Sequence, residues 1–210
     1  MQGCLVVAKH DRAGTADAAS PGVLYLLACA SPRARGVGDL VMRAQAAGWT
    51  VCVVATPSAL LFVDVAATEE VTGYPVRSAY KHPDDPDVLP PADAMIACPV
   101  TFNTMNKWAL GIADTLVLGL LTEGVGLGLP LVAAPSLNSA QERHPGFRRS
   151  VAMLREMGVR VLYGQGEYEP AVPGTGGQAY DWSLPLRALE EMLSERADGQ
   201  RGDAGGTGKA

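Results

Sequence analysis

The sequence predicts an α/β fold in which a parallel sheet is covered by helices on both faces. Two observations lead to this class. Short apolar runs alternate along the chain with segments of helical length, as they do in β–α–β units. Within each run the apolar residues are nearly continuous, which is typical of strands buried on both faces of a parallel sheet. The chain has 210 residues, 48% of them hydrophobic, so one domain can bury a substantial core.

Five strands and the helices between them follow in chain order. Each strand is a short apolar run, and the runs cover residues 22–30, 50–55, 94–97, 129–135 and 159–164. Helices are expected at 39–47, from 57 to 65, from about 115, around Phe147, Val151 and Leu154, and through Leu186, Leu189 and Leu193. The last two show apolar residues every three or four positions, which marks one helical face. This order predicts a three-layer, Rossmann-like or flavodoxin-like sandwich.

A single domain is expected at residues 21–195, between two less regular ends. Residues 1–20 contain a five-residue apolar stretch followed by acidic residues, which predicts a flexible leader rather than a signal peptide. Residues 196–210 are polar and rich in glycine, so a disordered tail is expected there. Glycines and Glu123 interrupt the apolar stretch at 115–135, and no membrane span is expected.

Charge and cysteine content narrow the function. The net charge is −5 and no run of Lys and Arg occurs, which argues against a nucleic-acid partner. The four cysteines show no spacing typical of metal ligands, so no metal site is predicted. Cys29, Cys52 and Cys98 each lie in an apolar run, as reduced and buried cysteines do. A cytoplasmic location is therefore expected.

Polar side chains directly follow the first four predicted strands. Ligands of α/β sheets bind at the carboxyl ends of the strands, so one composite site is expected. Ser31, Thr56 and Ser58 carry hydroxyl groups at the first two turns. They could bind a phosphate at helix N-termini, or they could simply cap those helices. Neither a GxGxxG fingerprint nor a P-loop is present.

The turn after the third strand is more specific. Its sequence, PVTFNTMNKWALGIADTLV at 99–117, resembles the PASANT motif and following helix of the homo-oligomeric flavin-containing cysteine decarboxylases. Thr101 stands where the motif has Ser, and the second strand's turn is also similar. The matching positions are Pro99, Asn103 and Thr104, with Asp114 downstream. The family includes peptidyl-cysteine decarboxylases of lantibiotic biosynthesis and phosphopantothenoylcysteine decarboxylase.

The resemblance implies a cofactor and an assembly. FMN would bind without covalent attachment, between subunits of a trimer or a dodecamer of trimers. Hydroxyl groups of the first two turns would contact its phosphate or ribityl chain, and the third turn would lie along the flavin. The implied cofactor-binding residues are Ser31, Thr56, Ser58, Phe62, Pro99, Thr101, Asn103, Thr104 and Asp114.

Two candidate catalytic residues follow from the same comparison. His82 lies upstream of the third strand, where the family has an essential histidine, and it would act as a base. The alternative is a solvated loop histidine beside two aspartates. Asn138 matches the Asn of the family's substrate motif PxMNxxMW and would hold a substrate carboxylate. Gln141 and Glu142 stand where that motif has Met and Trp.

Two further segments leave the substrate open. His144 is either a second site histidine or the start of a helix. The stretch PGTGGQAYDW at 173–182 is either a mobile flap or an ordinary surface loop. The coenzyme A branch of the family uses a cysteine in this region as proton donor, and this stretch has none. The resemblance is therefore closer to the peptidyl-cysteine branch.

Four functions from different classes remain. The leading one is oxidative decarboxylation of a cysteine-containing substrate, such as a peptide C-terminal cysteine, to an enethiol. The second is an FMN-dependent oxidoreductase with a different small-molecule substrate. The third is a flavin-binding oligomer with a regulatory role, and the fourth is a nucleotide-binding module without flavin. An absorbance spectrum separates the fourth from the others.

Overall fold

Five parallel strands form one sheet in the computed structural model, which describes residues 20–164, 166–175 and 180–204. The strands are β1 (Val23–Ala28), β2 (Thr50–Ala55), β3 (Ala94–Thr101), β4 (Leu131–Ser136) and β5 (Arg160–Val161). Their order across the sheet is β2-β1-β3-β4-β5, and every neighbouring pair is parallel. The chain changes direction across the sheet between β1 and β3, so the carboxyl ends of these strands form the switch point.

Helices cover both faces of the sheet. They are α1 (Val37–Ala46), α2 (Val65–Thr72), α3 (Phe102–Ala109), α4 (Leu116–Gly126), α5 (Ser139–Glu142), α6 (Pro145–Glu156) and α7 (Leu184–Ala204). Alternate residues of β1 enter two separate apolar clusters: Tyr25 and Leu27 pack with α3, α4 and α6, while Leu24 and Leu26 pack with α1 and α7. The predicted three-layer parallel sandwich is confirmed.

Several element boundaries differ from the prediction, and the fifth strand, expected at 159–164, forms only at Arg160–Val161. The helix expected at 57–65 is a 3-10 helix at Pro57–Leu61, and α2 begins only at Val65. Asp64 separates the two, because its side chain accepts a hydrogen bond from the Ala67 amide and starts a new helix. The third strand, predicted at 94–97, continues to Thr101 because its outer half also pairs with β4. The sheet therefore extends to the polar turn that follows it.

The C-terminal helix is longer than the sequence predicts. Helix α7 runs to Ala204 and so crosses the domain boundary expected at residue 195. Residues 196–204, expected in a disordered tail, are helical, and Arg196 in this part donates a hydrogen bond to the Gly128 carbonyl at 2.8 Å. The predicted leader falls almost wholly on residues 1–19, and the end of the tail on residues 205–210. Both lie outside the described residues.

Gly36 provides a test of packing between the first turn and α7. A Cβ at Gly36 would lie 2.5 Å from Cζ2 of Trp182, whose ring packs against the apolar cluster beside α7. We expect Gly36→Ala to lower the free energy of unfolding by about 1–3 kcal/mol, since overpacking displaces that ring. Gly38 in α1 has open space around it, so Gly38→Ala should raise stability by roughly 0.5–1 kcal/mol. Urea unfolding measures the free energy of unfolding of both variants. Equal changes in Gly36→Ala and Gly38→Ala would contradict the packing argument.

Candidate active site at the carboxyl ends of the strands

A cavity of about 650 Å³ opens where β1, β3 and β4 end. Its size is that of a small-molecule or cofactor site. Apolar groups form much of its wall, and a few polar groups converge on it. The polar side chains that matter below are Ser31, Arg33, Thr101, Asn103, Asn138 and Tyr168. The structure thus brings together four predicted site residues, Ser31, Thr101, Asn103 and Asn138, and adds two that the sequence did not indicate.

Ser31 lies at the end of β1 and is buried. Its hydroxyl group is 2.7 Å from that of Ser136 at the end of β4, so the two strand ends are tied together. The same oxygen accepts a hydrogen bond from the Arg33 amide and caps the 3-10 helix at Pro32–Gly36. Ser31 therefore caps a helix, as one of the two sequence interpretations expected, and it also lines the cavity. Its contact with a phosphate stays a prediction.

The third turn places its polar groups at the start of α3. The Thr101 hydroxyl accepts from the Thr104 amide and lies 3.1 Å from the Thr104 hydroxyl, so Thr101 caps the helix. Thr101 and Asn103 line the cavity, while Thr104 is buried behind them. Pro99 is buried within β3, where its carbonyl accepts a hydrogen bond from the Cys29 amide at 2.9 Å. Pro99 and Thr104 thus support the turn from behind.

Asn138 follows β4 and is held in a capping box. Its side-chain oxygen accepts from the Ala140 and Gln141 amides, both at 3.0 Å, and the Gln141 side chain accepts from the Asn138 amide. Because the oxygen is engaged, the side-chain NH2 group is the part left to donate to a ligand. Glu142, the next residue, accepts a 2.6 Å hydrogen bond from the Tyr163 hydroxyl. Gln141 and Glu142, the two positions that depart from the family motif, are therefore both hydrogen-bonded within the fold.

Tyr168 comes from the late loop and fixes it to the Asn138 segment. Its hydroxyl group accepts from the Leu137 amide at 2.8 Å and donates to the Leu137 carbonyl at 2.7 Å. The Ala171 carbonyl accepts from the Ser139 amide at 2.9 Å. These bonds make the described part of the loop, 166–175, a wall of the cavity. Residues 176–179 of the expected flap lie outside the described residues.

Arg33 is held between two aromatic rings at the edge of the cavity. Its guanidinium carbon lies 4.8 Å from the ring centroid of Tyr168 and 4.9 Å from that of Tyr180. The Tyr180 hydroxyl lies 3.4 Å from the Cys98 sulfur, and burial raises the pKa of Tyr180 well above its usual value. Burial also raises the pKa of Cys98 to about 12. Both neighbours are neutral near pH 7, so Arg33 carries the charge of this cluster.

Three predicted cofactor residues at the second turn lie outside the cavity lining. Thr56 is half-buried and Ser58 is exposed, at the start of the 3-10 helix that follows β2. Phe62 packs against a small apolar cluster that includes Ala28 and Ala34, beneath the first turn. The Thr56 amide donates to the Ala28 carbonyl at 2.8 Å, which holds the second turn beside the first.

Asp114 and His82 lie apart from the cavity of this chain. Asp114 follows the C-terminal end of α3 and pairs with Lys107, N–O distance 2.5 Å. His82 lies in the loop between α2 and β3, with 69% of its side chain exposed, and its Nδ1 is 3.4 Å from an Asp84 oxygen. The roles predicted for these two residues require a group that this chain alone does not bring to them.

His144 has the helix-start role that the sequence left open. Its Nδ1 accepts from the Gly146 amide at 3.0 Å and caps α6. Its ring meets that of Phe102 edge-on, with centroids 5.6 Å apart, and Phe102 lines the cavity. His144 therefore supports the cavity wall from behind.

The sequence profile of a protein family described as Flavoprotein matches residues 20–182. This chain belongs to the flavoprotein family. The flavoprotein is 24% identical over 176 residues to a probable phosphopantothenoylcysteine decarboxylase of Streptococcus mutans, covering 81% of this chain and 98% of that protein. It is 30% identical over 168 residues to the coenzyme A biosynthesis bifunctional protein CoaBC of Mycolicibacterium smegmatis. That match covers 76% of this chain but only 38% of the bifunctional protein.

Solved structures show the same fold. The FMN-dependent cysteine decarboxylase SpaF is 25% identical to this flavoprotein, with a TM-score of 0.63 over 82% of this chain and 97% of that one. Both branches named in the sequence comparison are thus represented, and the family prediction is confirmed. The preference for the peptidyl-cysteine branch stays a prediction.

The donor set of the cavity fits a flavin mononucleotide. Phe102, Leu137 and Val172 give apolar surface, while hydroxyl and amide groups of the turns can hydrogen-bond in-plane atoms of a ring or a ribityl chain. None of the described lining residues is acidic, so nothing there repels a phosphate. The described ranges contain no cluster of three or more potential metal ligands. They also contain no helix that is long and apolar enough to cross a bilayer.

Proposed function

We propose that this flavoprotein binds FMN in the cavity and catalyses oxidative decarboxylation of a cysteine-containing substrate, such as a peptide with a C-terminal cysteine. One observation carries the proposal: Ser31, Thr101, Asn103 and Asn138, matched to the family from sequence alone, meet around one cavity of suitable size. SpaF, a cysteine decarboxylase with FMN, supports the reaction by its similarity along most of the chain.

The overall reaction balances with FMN as the electron acceptor. Bound FMN supplies the chemistry of accepting two electrons from the cysteine unit of the substrate. The substrate loses CO2 from its terminal carboxyl group and two hydrogens, and its Cα and Cβ become the double bond of an enethiol. The chain's own residues position the substrate, exclude water and receive a proton.

Asn138 and the late loop would position the substrate. The free NH2 group of Asn138 donates to the carboxylate that is lost, while the capping box holds the side chain in one orientation. Tyr168 locks the loop against the same segment and limits the access of water to this side of the cavity.

A homo-oligomer would complete the site. Leu61 and Leu110 are exposed on this chain, at 82% and 66%, near the second turn and after α3, where the predicted residues Phe62 and Asp114 lie. Exposed apolar side chains are typical of protein interfaces. In a trimer or a dodecamer of trimers, His82 of one copy would serve as base in the cavity of another.

A soluble, cytoplasmic protein is proposed because three cysteines are free and buried, as is usual in a reducing compartment.

A second candidate is an FMN-dependent oxidoreductase with a different small-molecule substrate. Gln141 and Glu142 favour it, since they place polar groups where the family motif has an apolar Met-Trp pair. Both side chains are engaged within the fold, and neither can replace an apolar clamp around a cysteine side chain.

The purified protein provides the test. We expect a yellow protein whose released cofactor has the mass of FMN. Incubated in air with a pentapeptide ending in cysteine, it should produce a peptide that has lost CO2 and two hydrogens. The same peptide with a C-terminal amide is the matched control and should stay unchanged. A protein that binds no FMN contradicts the cofactor assignment. Flavin bleached by NADH, without any loss of CO2, favours the oxidoreductase.

A further inference from the structure

We propose that Arg33 binds a carboxylate of the substrate in the cavity, and that Tyr168 and Tyr180 hold its guanidinium group for that purpose. This inference rests on the proposed function, because it names the cation that recognises the acidic end of the substrate. Arg33 lies two residues after Ser31 on the first turn, at a position for which the sequence comparison gave no role.

The charge distribution around the cavity is the first argument. Arg33 is the one charged side chain among its described lining residues. Within the described ranges, no carboxylate lies at ion-pair distance from its guanidinium group. The chain has more acidic than basic residues, with a net charge of −5, so the missing ion pair of Arg33 does not reflect a shortage of carboxylates. An unpaired guanidinium facing a cavity is best neutralised by an anion of the ligand.

The second argument is the position of the two rings. Aromatic rings on a guanidinium group attract its charge and leave the N–H groups at its edge free to donate. Arg33 meets two such rings, at 4.8 and 4.9 Å, so little side-chain freedom remains to be lost when a ligand binds. The planar fork of Arg matches the two oxygens of a carboxylate. This arrangement is preorganised for a bidentate contact.

The third argument places the anion on the substrate side. The ring of Tyr168 contacts Arg33, and the hydroxyl group of the same residue binds both backbone groups of Leu137. Asn138, the proposed carboxylate anchor, is the next residue. One tyrosine therefore connects Arg33 to the segment that holds the substrate. The phosphate of FMN is the other anion that this cavity could hold, and the experiment must separate the two.

The experiment uses the full-length, FMN-loaded protein and a ligand that is not converted. We would titrate a pentapeptide ending in serine, as the free acid and as the C-terminal amide, by calorimetry. Arg33→Gln should raise the dissociation constant of the acid by about tenfold or more and that of the amide by less than about twofold. Arg33→Lys keeps the positive charge but lacks the planar fork. Its dissociation constant for the acid should therefore lie between those of the wild type and Arg33→Gln. Arg43→Gln, at an exposed position of α1, is the matched control.

A second titration identifies the source of the anion. FMN and riboflavin, which lacks the phosphate, are added to apoprotein of the wild type and of Arg33→Gln. Unchanged affinity for both is expected. A loss confined to FMN would assign Arg33 to the cofactor phosphate and overturn the proposal. Equal losses for acid and amide peptides would also overturn it, because Arg33 would then serve packing alone.

Failure of the proposed function has a different signature. If the wild type releases no CO2 from the cysteine peptide but binds the serine acid through Arg33, the reaction is wrong and the carboxylate site stands. If the wild type decarboxylates the cysteine peptide and Arg33→Gln keeps full affinity, the carboxylate site is wrong. Should neither peptide bind, propionate replaces them as a small carboxylate probe. Propionate binding that does not depend on Arg33 overturns the proposal.

Discussion

Phe147→Ala is expected to lower the free energy of unfolding by about 3–5 kcal/mol, the range typical of large aromatic side chains removed from a core. Phe147 in α6 is fully buried. Its ring lies 5.0 Å from that of Tyr163 in an edge-to-face arrangement and 6.5 Å from that of Phe102 in a stacked one. Deleting it removes apolar contacts on two sides and leaves a cavity that neighbouring helices cannot fill completely.

The effect should also reach the site, because Phe102 lines the cavity. We expect the dissociation constant of FMN to rise in Phe147→Ala, measured by flavin fluorescence below the unfolding transition. Arg149→Ala on the same helix is the control: Arg149 is exposed, and its loss should change stability by no more than about 0.5 kcal/mol. A Phe147→Ala protein as stable as the control would contradict the assignment of this ring to the core.

The sheet could be predicted because its determinants are local. Strands buried on both faces need continuous apolar runs, and five such runs occur at the positions where strands form. The ends of the helices depend on individual side-chain hydrogen bonds, which a hydrophobic pattern does not show. Asp64 begins a new helix after the 3-10 turn, and Arg196 finds a carbonyl on a distant loop. Neither effect can be deduced from hydrophobicity along the chain.

Four predicted site residues converge for a topological reason. Ser31, Thr101, Asn103 and Asn138 lie at or shortly after the ends of β1, β3 and β4, and neighbouring parallel strands bring their carboxyl ends to one edge. Arg33 and Tyr168 could not be found in this way. Their roles depend on a loop about 130 residues downstream folding back over the first turn, and contacts of that range are not encoded in a local pattern.

Gln141 shows how a structure can change the meaning of a sequence departure. The family motif has Met at this position, so the sequence alone suggests that Gln141 has lost an apolar contact with the substrate. In the fold it completes the capping box of Asn138, whose side chain is thereby held in place. The position has therefore exchanged a ligand contact for support of the residue beside it. Under the proposed function, Asn138 would still anchor a carboxylate, while the selection for the side chain of the substrate would be relaxed.

Asn138→Asp is expected to reduce decarboxylation of the cysteine-terminal peptide by at least about 100-fold while leaving the fold intact. Asp caps a helix as well as Asn, so the bonds to the Ala140 and Gln141 amides should persist. The amide NH2 group is lost, and a hydrogen bond to a charged group is worth about 1.5–3 kcal/mol. The new carboxylate also repels that of the substrate, which adds to the loss.

Two further variants separate these effects. Asn138→Ser keeps a capping oxygen and removes the amide without adding charge, so its activity should lie between those of the wild type and Asn138→Asp. Asn138→Ala loses the cap as well, and its stability should fall by roughly 0.5–2 kcal/mol. Rates are measured by mass spectrometry of the product, and stability by urea unfolding. If Asn138→Asp keeps the wild-type rate, the side-chain NH2 group does not hold the carboxylate. Arg33 would then be left as its main anchor, because no other described cavity-lining side chain carries a charge.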